Sequence, residues 1–145
     1  MIKLIAVGKI KKDYLKVATI DYTTRINKYH KINIIEIEDS NIKCEKDKIM
    51  NYISDKEYVI ILDISGKQID SLEFSRVIDN LFATGKSNIT FVIGGSDGLD
   101  EEIKMRANSA ISFSKMTFPH QLFRVIFLEQ LYRAFKILNN ETYHK

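Results

Sequence analysis

The stretch of sequence that decides the fold is Ile89-Thr90-Phe91-Val92-Ile93-Gly94-Gly95-Ser96-Asp97-Gly98. Its first five residues are apolar or β-branched and favour a strand, and the glycines that follow favour a tight turn. A second run, Tyr58–Ile64, is almost wholly apolar, as expected for a strand covered on both faces. Such runs alternate with helix-like segments along the chain. This alternation predicts an α/β fold, with residues 1–145 forming a single domain around a mostly parallel sheet flanked by helices.

Apolar periodicity predicts the individual elements of this fold. Strands are expected at Ile2–Gly8, Ile32–Ile37, Tyr58–Ile64, Ile89–Ile93 and Ala110–Phe113. Helices are expected at Lys11–Tyr29, Glu45–Ser54, from Asp70 or Ser71 to Phe82, Leu99–Asn108 and Gln121–Leu138. In the first helix the expected N-cap is Asp13, and the expected apolar face consists of Tyr14, Val17, Ala18, Tyr22 and Ile26.

Length and composition narrow the class of protein. A chain of 145 residues with 45% hydrophobic residues is long enough to bury a core. Its single cysteine, Cys44, cannot form an intramolecular disulfide, which favours a reducing compartment. No apolar run is long enough to span a bilayer, and lysines follow the apolar start instead of preceding it as in a signal peptide. These features predict a cytoplasmic protein. The net charge of +3 permits nucleic-acid binding without arguing for it.

The ends of three predicted strands are the expected ligand site. In open α/β sheets, ligands bind outside the carboxyl ends of the strands. The segments that follow the third, fourth and fifth strands are 64–67, 94–98 and 114–120. No metal site is expected, because the three histidines and Cys44 lack ligand spacing.

The turn at 94–98 is open to three interpretations. Its Gly-x-Ser-x-Gly pattern matches the nucleophile elbow of α/β-hydrolases, with Ser96 as nucleophile. The partners of Ser96 would then be His120 or His144 as base and Asp97 or Asp100 as orienting group. Alternatively, the glycines allow a ligand to lie against the main chain. The third interpretation is an ordinary strand-to-helix turn.

The last predicted helix is apolar over more than half of its circumference. An ordinary surface helix has one apolar stripe, so this helix is expected to be buried on two sides. Because a small domain has little interior, the second side predicts a partner subunit, and two-fold homodimers are the commonest oligomers. Arg133 on this helix has two readings, a functional cation or an i,i+4 pair with Glu129.

Several motifs, taken in order, resemble one known family. They are Leu4-Ile5-Ala6-Val7-Gly8-Lys9, Leu62-Asp63-Ile64-x-Gly66-Lys67, Val92-Ile93-Gly94-Gly95, Phe113-Ser114-Lys115-Met116-Thr117-Phe118-Pro119-His120, Arg124-Val125, Glu129-Gln130-Leu131-Tyr132-Arg133-Ala134 and Tyr143-His144-Lys145. Together they resemble the RlmH family, small SPOUT-class methyltransferases that act on pseudouridine in 23S ribosomal RNA. The resemblance covers the chain from end to end.

The resemblance implies a fold, an assembly and a cofactor. It implies a C-terminal trefoil knot, a homodimer, and the cofactor S-adenosylmethionine with no metal. The implied cofactor-binding residues are Leu62, Gly94, Phe113, Ser114, Lys115, Met116, Thr117 and Phe118. These positions fall in or beside the strand-end segments selected above.

The resemblance also implies methylation of N3 of a pseudouridine in 23S ribosomal RNA. The catalytic candidates are His144 for proton handling, Arg133 for stabilising the imide anion or gripping phosphate, and the adjacent Tyr143. The expected RNA contacts are Lys9, Lys11, Lys12, Lys115 and Arg124, and assembled ribosomes are expected to be better substrates than free RNA. The alternative functions are a non-catalytic RNA- or ribosome-binding module of the same fold, or a small serine hydrolase.

Overall fold

Five strands and five helices alternate along residues 1–144, the part of the chain that the computed structural model describes. Lys145, the last residue of the terminal motif, lies outside the described residues. The elements are β1 (Ile2–Val7), α1 (Asp13–Ile26), β2 (Ile32–Ile37), α2 (Ile42–Asn51), β3 (Tyr58–Gln68), α3 (Ser71–Ala83), β4 (Ile89–Ile93), α4 (Glu101–Arg106), β5 (Ser109–Ser112) and α5 (His120–Leu138).

All five strands form one parallel sheet in the order β2-β1-β4-β3-β5. Parallel neighbours need crossover connections, which the helices supply. The predicted α/β class with a mostly parallel sheet is therefore confirmed. The carboxyl ends of β3, β4 and β5 lie side by side, which brings the three predicted ligand segments to one edge of the sheet.

Side chains that alternate along each strand build a core on each face of the sheet. On β1, Leu4 contributes to the core under α1, α3 and α5, where it joins Phe91 and Phe127. The next residue, Ile5, contributes to the core under α2 and α4, with Ile103. Both faces are covered, which explains why the strands read as nearly continuous apolar runs.

The breadth of the apolar surface on α5 has a largely internal explanation. The helix lies between α1 and α3, and it buries Phe127, Leu131 and Phe135 in the core. The sheet, α1 and α3 therefore cover most of the apolar surface of α5 that was expected to lie against a partner subunit. Leu122 stays 40% exposed at the start of the helix. No helix within residues 1–144 combines the length and hydropathy that crossing a bilayer requires.

The predicted apolar face of α1 is partly wrong. Tyr14 and Val17 are 69% and 66% exposed, whereas Leu15 and Ile26 are buried. The apolar residues of this helix surround its axis, so their spacing does not single out the inward side. Asp13 is also not the N-cap, because the cap position is Lys12 and Asp13 is the first helical residue.

The helix boundaries show how local signals succeed and fail. Asp70 caps α3 as predicted, because its side chain accepts a hydrogen bond from the backbone N–H of Glu73 at 2.8 Å. The helix α2 begins at Ile42 instead of Glu45, since Asn41 caps it by accepting from the N–H of Cys44. The observed α1 and α4 are shorter than predicted at both ends, and α4 stops at Arg106 because Ala107 has extended backbone, with ψ 139°.

The strand β3 runs four residues beyond its predicted end. Its pairing with β5 shifts register between Leu62 and Lys67, and Gly66 lies in this shifted segment. A Cβ atom at Gly66 would come within 2.7 Å of the backbone of Ala110 and Ile111. Glycine is therefore required there for β5 to lie against the extended strand.

Candidate functional site

A cleft of about 200 Å³ opens at the carboxyl ends of β3, β4 and β5. Its walls are strand ends and the loop that joins β5 to α5. Of the predicted cofactor-binding residues, those that line the cleft are Leu62, Gly94, Phe113, Ser114, Met116, Thr117 and Phe118. Lys115 lies in the same loop, but it is exposed and does not line the cleft. His120, the first residue of α5, also lines it.

Aromatic rings and serine hydrogen bonds shape the loop after β5. The Phe118 ring stacks on Phe123 with centroids 5.8 Å apart, and Phe113 meets Phe123 edge to face at 5.5 Å. The backbone N–H of Met116 donates to Ser114 Oγ at 3.0 Å, which closes a local turn. The loop therefore folds over the strand ends and gives the cleft an aromatic wall next to α5.

The glycine turn after β4 forms the opposite wall of the cleft. A backbone hydrogen bond from the N–H of Gly98 to the carbonyl of Gly95 closes the turn at 3.0 Å. A Cβ atom at Gly94 would lie 2.9 Å from the Gly98 carbonyl oxygen and 3.0 Å from Leu99 Cγ. Glycine at 94 is needed for the turn to pack against itself, and the same turn then borders the cleft.

The serine-hydrolase interpretation has no geometric support. Ser96 is exposed in the turn, and no hydrogen bond joins it to a histidine within residues 1–144. A nucleophile elbow places its serine on strained backbone. Among the described non-glycine residues only Asn140 has a positive φ, so Ser96 does not have that strain. In the same part of the chain, no group of three histidine, cysteine or acidic side chains is arranged to hold a metal ion.

The three catalytic candidates come together around Glu129. Arg133 donates to both carboxylate oxygens of Glu129, at 3.2 and 2.8 Å, and Tyr143 Oη donates to Glu129 Oε2 at 2.8 Å. The Arg133 guanidinium lies 4.8 Å from the centroid of the Tyr143 ring and 3.1 Å from His144 Nδ1. Glu129, Arg133, Tyr143 and His144 are called the terminal cluster below. Arg133 therefore forms the expected i,i+4 ion pair with Glu129 and also contacts Tyr143 and His144 near the C-terminus.

These contacts define the protonation of the terminal cluster. A guanidinium has only N–H donors, so His144 Nδ1 accepts and the proton of the neutral ring lies on Nε2. Burial, together with the hydrogen bond to Glu129, raises the pKa of Tyr143 to about 12. Hydrogen bonding to Glu129 also raises the pKa of Arg133. The terminal cluster therefore pairs the Arg133 cation with the Glu129 carboxylate, to which Tyr143 also donates, and leaves the Nε2 side of His144 outside these contacts.

The terminal cluster and the cleft are separate in this chain. None of the terminal cluster residues lines the cleft. Phe123, which does line it, precedes Arg133 by ten positions on α5. At ~1.5 Å per residue, that spacing is about 15 Å along the helix.

Arg124 is not available as an RNA contact, so that prediction is wrong. Its side chain is 1% exposed, and it bonds to Glu36 Oε2 at 2.6 Å and to the carbonyl of Gly8 at 2.8 Å. Glu36 also accepts from the backbone N–H of Ile10. Arg124 therefore fixes the loop after β1 against α5. The other predicted RNA contacts, Lys9, Lys11, Lys12 and Lys115, are exposed.

Two features of this region were missed in the sequence. One sequence feature indicated that Arg124 is buried: it lies among apolar residues of α5. The sequence indicated the central role of Glu129 in the terminal cluster only weakly, because an i,i+4 pair with an arginine is common on helices and does not mark a functional site. Neither the Tyr143 contact nor the His144 contact follows from sequence spacing.

Comparison with known proteins assigns the chain to a family. A family model described as "Predicted SPOUT methyltransferase" matches residues 1–144. Two proteins named ribosomal RNA large subunit methyltransferase H, from Clostridium botulinum strains Langeland and Kyoto, are 54% and 53% identical, with 99% of each chain covered.

A solved structure shares the fold. It is a probable methylase family protein from Haemophilus influenzae, with a TM-score of 0.57 and 12% identity, and the match covers 99% of this chain and 70% of that one. The C-terminal trefoil knot is a property of the family. The chain therefore belongs to the SPOUT methyltransferase family, and it is similar over its whole length to proteins named ribosomal RNA large subunit methyltransferase H.

Proposed function

We propose that this protein transfers a methyl group from S-adenosylmethionine to N3 of a pseudouridine in 23S ribosomal RNA. The observation that carries the proposal is the cleft at the ends of β3, β4 and β5, which gathers seven of the eight cofactor positions predicted by resemblance. The name of the relatives, which match over 99% of the chain, supports ribosomal RNA of the large subunit as the substrate class.

The chemistry of the cleft fits this cofactor. Its walls are largely apolar, with Leu62, Phe113 and Phe118 beside the glycine turn. Apolar walls suit the adenine ring, and exposed backbone groups at the strand ends suit its polar edge. The bound cofactor supplies a methyl group on a sulfonium, and its transfer to N3 forms an N–C bond and breaks the S–C bond. In this proposal Leu62, Gly94 and the Phe113–Phe118 loop hold the cofactor.

In this proposal the terminal cluster stabilises the negative charge that develops on the target base. N3 of pseudouridine is a weakly acidic imide that loses its proton before or during attack, and the imide anion spreads its charge to the adjacent carbonyl oxygens. Arg133 and the Nε2–H of His144 are donors suited to those oxygens. His144 acts as a base only after Nδ1 separates from Arg133, since the contact occupies its lone pair. General-base assistance of this kind contributes roughly 10²–10⁴ in rate.

A homodimer would bring the two halves of the site together. The terminal cluster lies about 15 Å along α5 from the cleft of its own subunit, at ~1.5 Å per residue. An apolar face on α1 is available for contact, since Tyr14, Val17 and Ile20 are 69%, 66% and 65% exposed. Three exposed apolar side chains within two turns of one helix are typical of an interaction surface. We propose that His144 and Arg133 of one subunit serve the cleft of its partner.

The proposed RNA partner is the assembled ribosome, in the cytoplasm. The charged candidates near the start of α1 are Lys9, Lys11 and Lys12, with Lys115 beside the cleft, and all are exposed. A protein with a net charge of only +3 binds most effectively to a target with fixed phosphates and a preformed loop. The Arg124–Glu36 pair contributes indirectly, by fixing the lysine-rich loop.

The proposed function is tested by tritiated methyl transfer to ribosomes that lack the modification. Separated subunits and free ribosomal RNA serve as comparison substrates. Label on pseudouridine N3, highest with whole ribosomes, is the expected result. If no substrate is labelled although calorimetry detects cofactor binding, the proposal is wrong, and the alternative of a non-catalytic RNA- or ribosome-binding module remains.

The roles of the terminal cluster are tested in the same assay. His144→Ala and Arg133→Ala are each expected to lower turnover by at least about 10²-fold, as loss of general-base or charge-stabilising groups does. The affinity for S-adenosylmethionine should change little, since neither residue lines the cleft. Tyr52→Ala, at an exposed position remote from the strand ends, is the control. Near-normal turnover in both variants would remove these assignments.

A further inference from the structure

A second cavity, of about 290 Å³, lies beside the cofactor cleft. The two share Phe113 and Phe118 as a common wall. The remainder of the second cavity is formed by the start of α3, including Asp70 and Ser71, and by Gln130 on α5. Its volume is close to the ~300 Å³ at which small-molecule sites begin. Nothing in the function described so far uses this space.

A chain of hydrogen bonds joins the second cavity to the terminal cluster. Ser71 Oγ donates to Gln130 Oε1 at 2.6 Å. Gln130 Nε2 donates to Glu129 Oε1 at 3.1 Å, and Glu129 in turn holds Arg133 and Tyr143. These bonds fix the Gln130 amide at the rim of the second cavity. In the proposed shared site, the Arg133 and His144 that would act on a base held in this cavity are those of the partner subunit.

The walls of the second cavity suit a flat ring. Phe74, Phe113 and Phe118 line it, and Phe74 meets Phe113 edge to face at 5.6 Å. Phe118 is held in place by stacking on Phe123, with an interplanar angle of 11°. Nucleobases splayed out of single-stranded RNA stack on aromatic side chains in this way. A base that must reach a cofactor for chemistry has to leave its own stack.

Two polar groups on the rim retain unused hydrogen-bonding capacity. A glutamine amide has two N–H donors, and the contact with Glu129 uses only one of those of Gln130. Asp70 Oδ1 accepts from the backbone N–H of Glu73. Its other oxygen, Oδ2, has no hydrogen-bond partner within residues 1–144. The rim therefore offers one neutral donor and one charged acceptor.

We infer that the second cavity holds the target base during methyl transfer, with Asp70 reading a feature that only pseudouridine has. The inference rests on the proposed function. Pseudouridine is joined to its ribose through carbon, so its N1 carries a hydrogen that uridine lacks. Asp70 Oδ2 accepts this N1–H, and Gln130 donates to the neighbouring C2 carbonyl. N3, the next atom around the ring, then points to the side where the second cavity adjoins the cofactor cleft beside Phe113 and Phe118, and its attack on the methyl carbon requires the two spaces to be open to each other there.

The role of Asp70 in specificity is tested by Asp70→Asn. Asparagine caps a helix as well as aspartate does, so α3 should stay intact, but its amide N–H₂ opposes the N1–H donor. Substrates are unmethylated ribosomes with pseudouridine at the target and ribosomes from cells unable to form that pseudouridine. For pseudouridine, kcat/KM is expected to fall at least about tenfold, with no decrease on uridine, since a site that pairs with a donor discriminates strongly. Asp79→Asn, an exposed change on the same helix, is the control and should leave kcat/KM unaltered.

Occupancy of the cavity is tested by filling it. Ile126 lines the second cavity and not the cofactor cleft, and it is half-buried, whereas its neighbour Val125 lines neither. Ile126→Trp is expected to lose at least about tenfold in methyl transfer with unchanged affinity for S-adenosylmethionine, because the base cannot enter. Val125→Trp is the matched control. Circular dichroism and sedimentation check that both variants keep the fold and the assembly of the unaltered protein.

The outcomes separate this inference from the proposed function. If the unaltered protein methylates ribosomes and Ile126→Trp matches it in kcat/KM, the cavity does not hold the base. If Asp70→Asn loses equally on both substrates, or loses nothing, Asp70 does not read N1–H. If the unaltered protein methylates no ribosomal substrate, the proposed function fails and this inference fails with it.

Discussion

Two arginines on α5 show how burial decides the role of a residue. Arg124 is 1% exposed and bonded to Glu36 and to the main chain, and burial lowers its pKa. Arg133 is partly exposed and holds Glu129 while contacting His144. The first is a structural tie between the β1 loop and the helix. The second is a partly exposed cation that contacts His144 near the C-terminus, as the proposed role in charge stabilisation requires.

Replacing Arg124 is expected to destabilise the protein. Arg124→Met should lower the free energy of unfolding by about 2–4 kcal/mol. Breaking a fully buried ion pair costs ~3–5 kcal/mol, and a smaller loss is expected here because Glu36 is partly exposed. Urea denaturation measures the change. Arg25→Met, which removes an exposed pair with Asp21, is the control and should have little effect. Equal stability of the two variants would contradict the structural role of Arg124.

Tyr143 is expected to ionise at a higher pH than an unperturbed tyrosine. Its pKa is raised from 10.0 to about 12 by burial and by the hydrogen bond to Glu129. The folded state therefore keeps the proton above the pKa of the unfolded chain. The resulting stabilisation is present below pH ~10 and is lost as the pH rises towards ~12. Titration of tyrosinate absorbance, compared between the unaltered protein and Tyr143→Phe, should show a missing step near pH 12. A missing step near pH 10 would contradict the burial of this phenol.

At the scale of elements, the glycine turn links the sheet to the cleft. β4 ends in the sheet centre, and the turn must reverse within a few residues to start α4. Strand composition and Gly-rich turn chemistry are local properties, so both were predictable. The close approach of Gly94 to Leu99 was not, because it depends on how the turn packs against the next segment.

A side chain at Gly94 should weaken cofactor binding. In Gly94→Ala the new Cβ would lie 2.9 Å from the Gly98 carbonyl oxygen, which forces the cleft wall to move. The dissociation constant for S-adenosylmethionine, measured by calorimetry, is expected to rise at least about tenfold, equivalent to ~1.4 kcal/mol. Ser96→Ala, in the same turn but exposed, should bind and turn over nearly normally. Loss of activity in Ser96→Ala alone would revive a role for this serine.

At the scale of the whole molecule, the separation between cleft and terminal cluster is the basis of the proposed site shared between subunits. Complementation tests this arrangement. A His144→Ala subunit has an intact cleft, and a Gly94→Ala subunit has an intact terminal cluster. The assay uses S-adenosylmethionine well below the dissociation constant of the Gly94→Ala cleft, where each variant alone has little methyl transfer. Unfolded and refolded together, the two are expected to regain activity, because a mixed dimer contains one complete site. Sedimentation confirms that the mixture is dimeric. No recovery in a dimeric mixture would mean that each subunit uses its own residues.

The sequence by itself determined the alternation of strands and helices, the parallel sheet, the strand-end location of the cleft and the family. These follow from local periodicity, from turn residues and from motif order, all of which are written along the chain. Tertiary structure alone decided that Arg124 is buried, that α5 lies between α1 and α3, and that Gln130 and Asp70 border one cavity. Those outcomes depend on contacts between residues up to 117 positions apart, as between Val7 and Arg124. Spacing along the sequence carries no record of which such pairs meet.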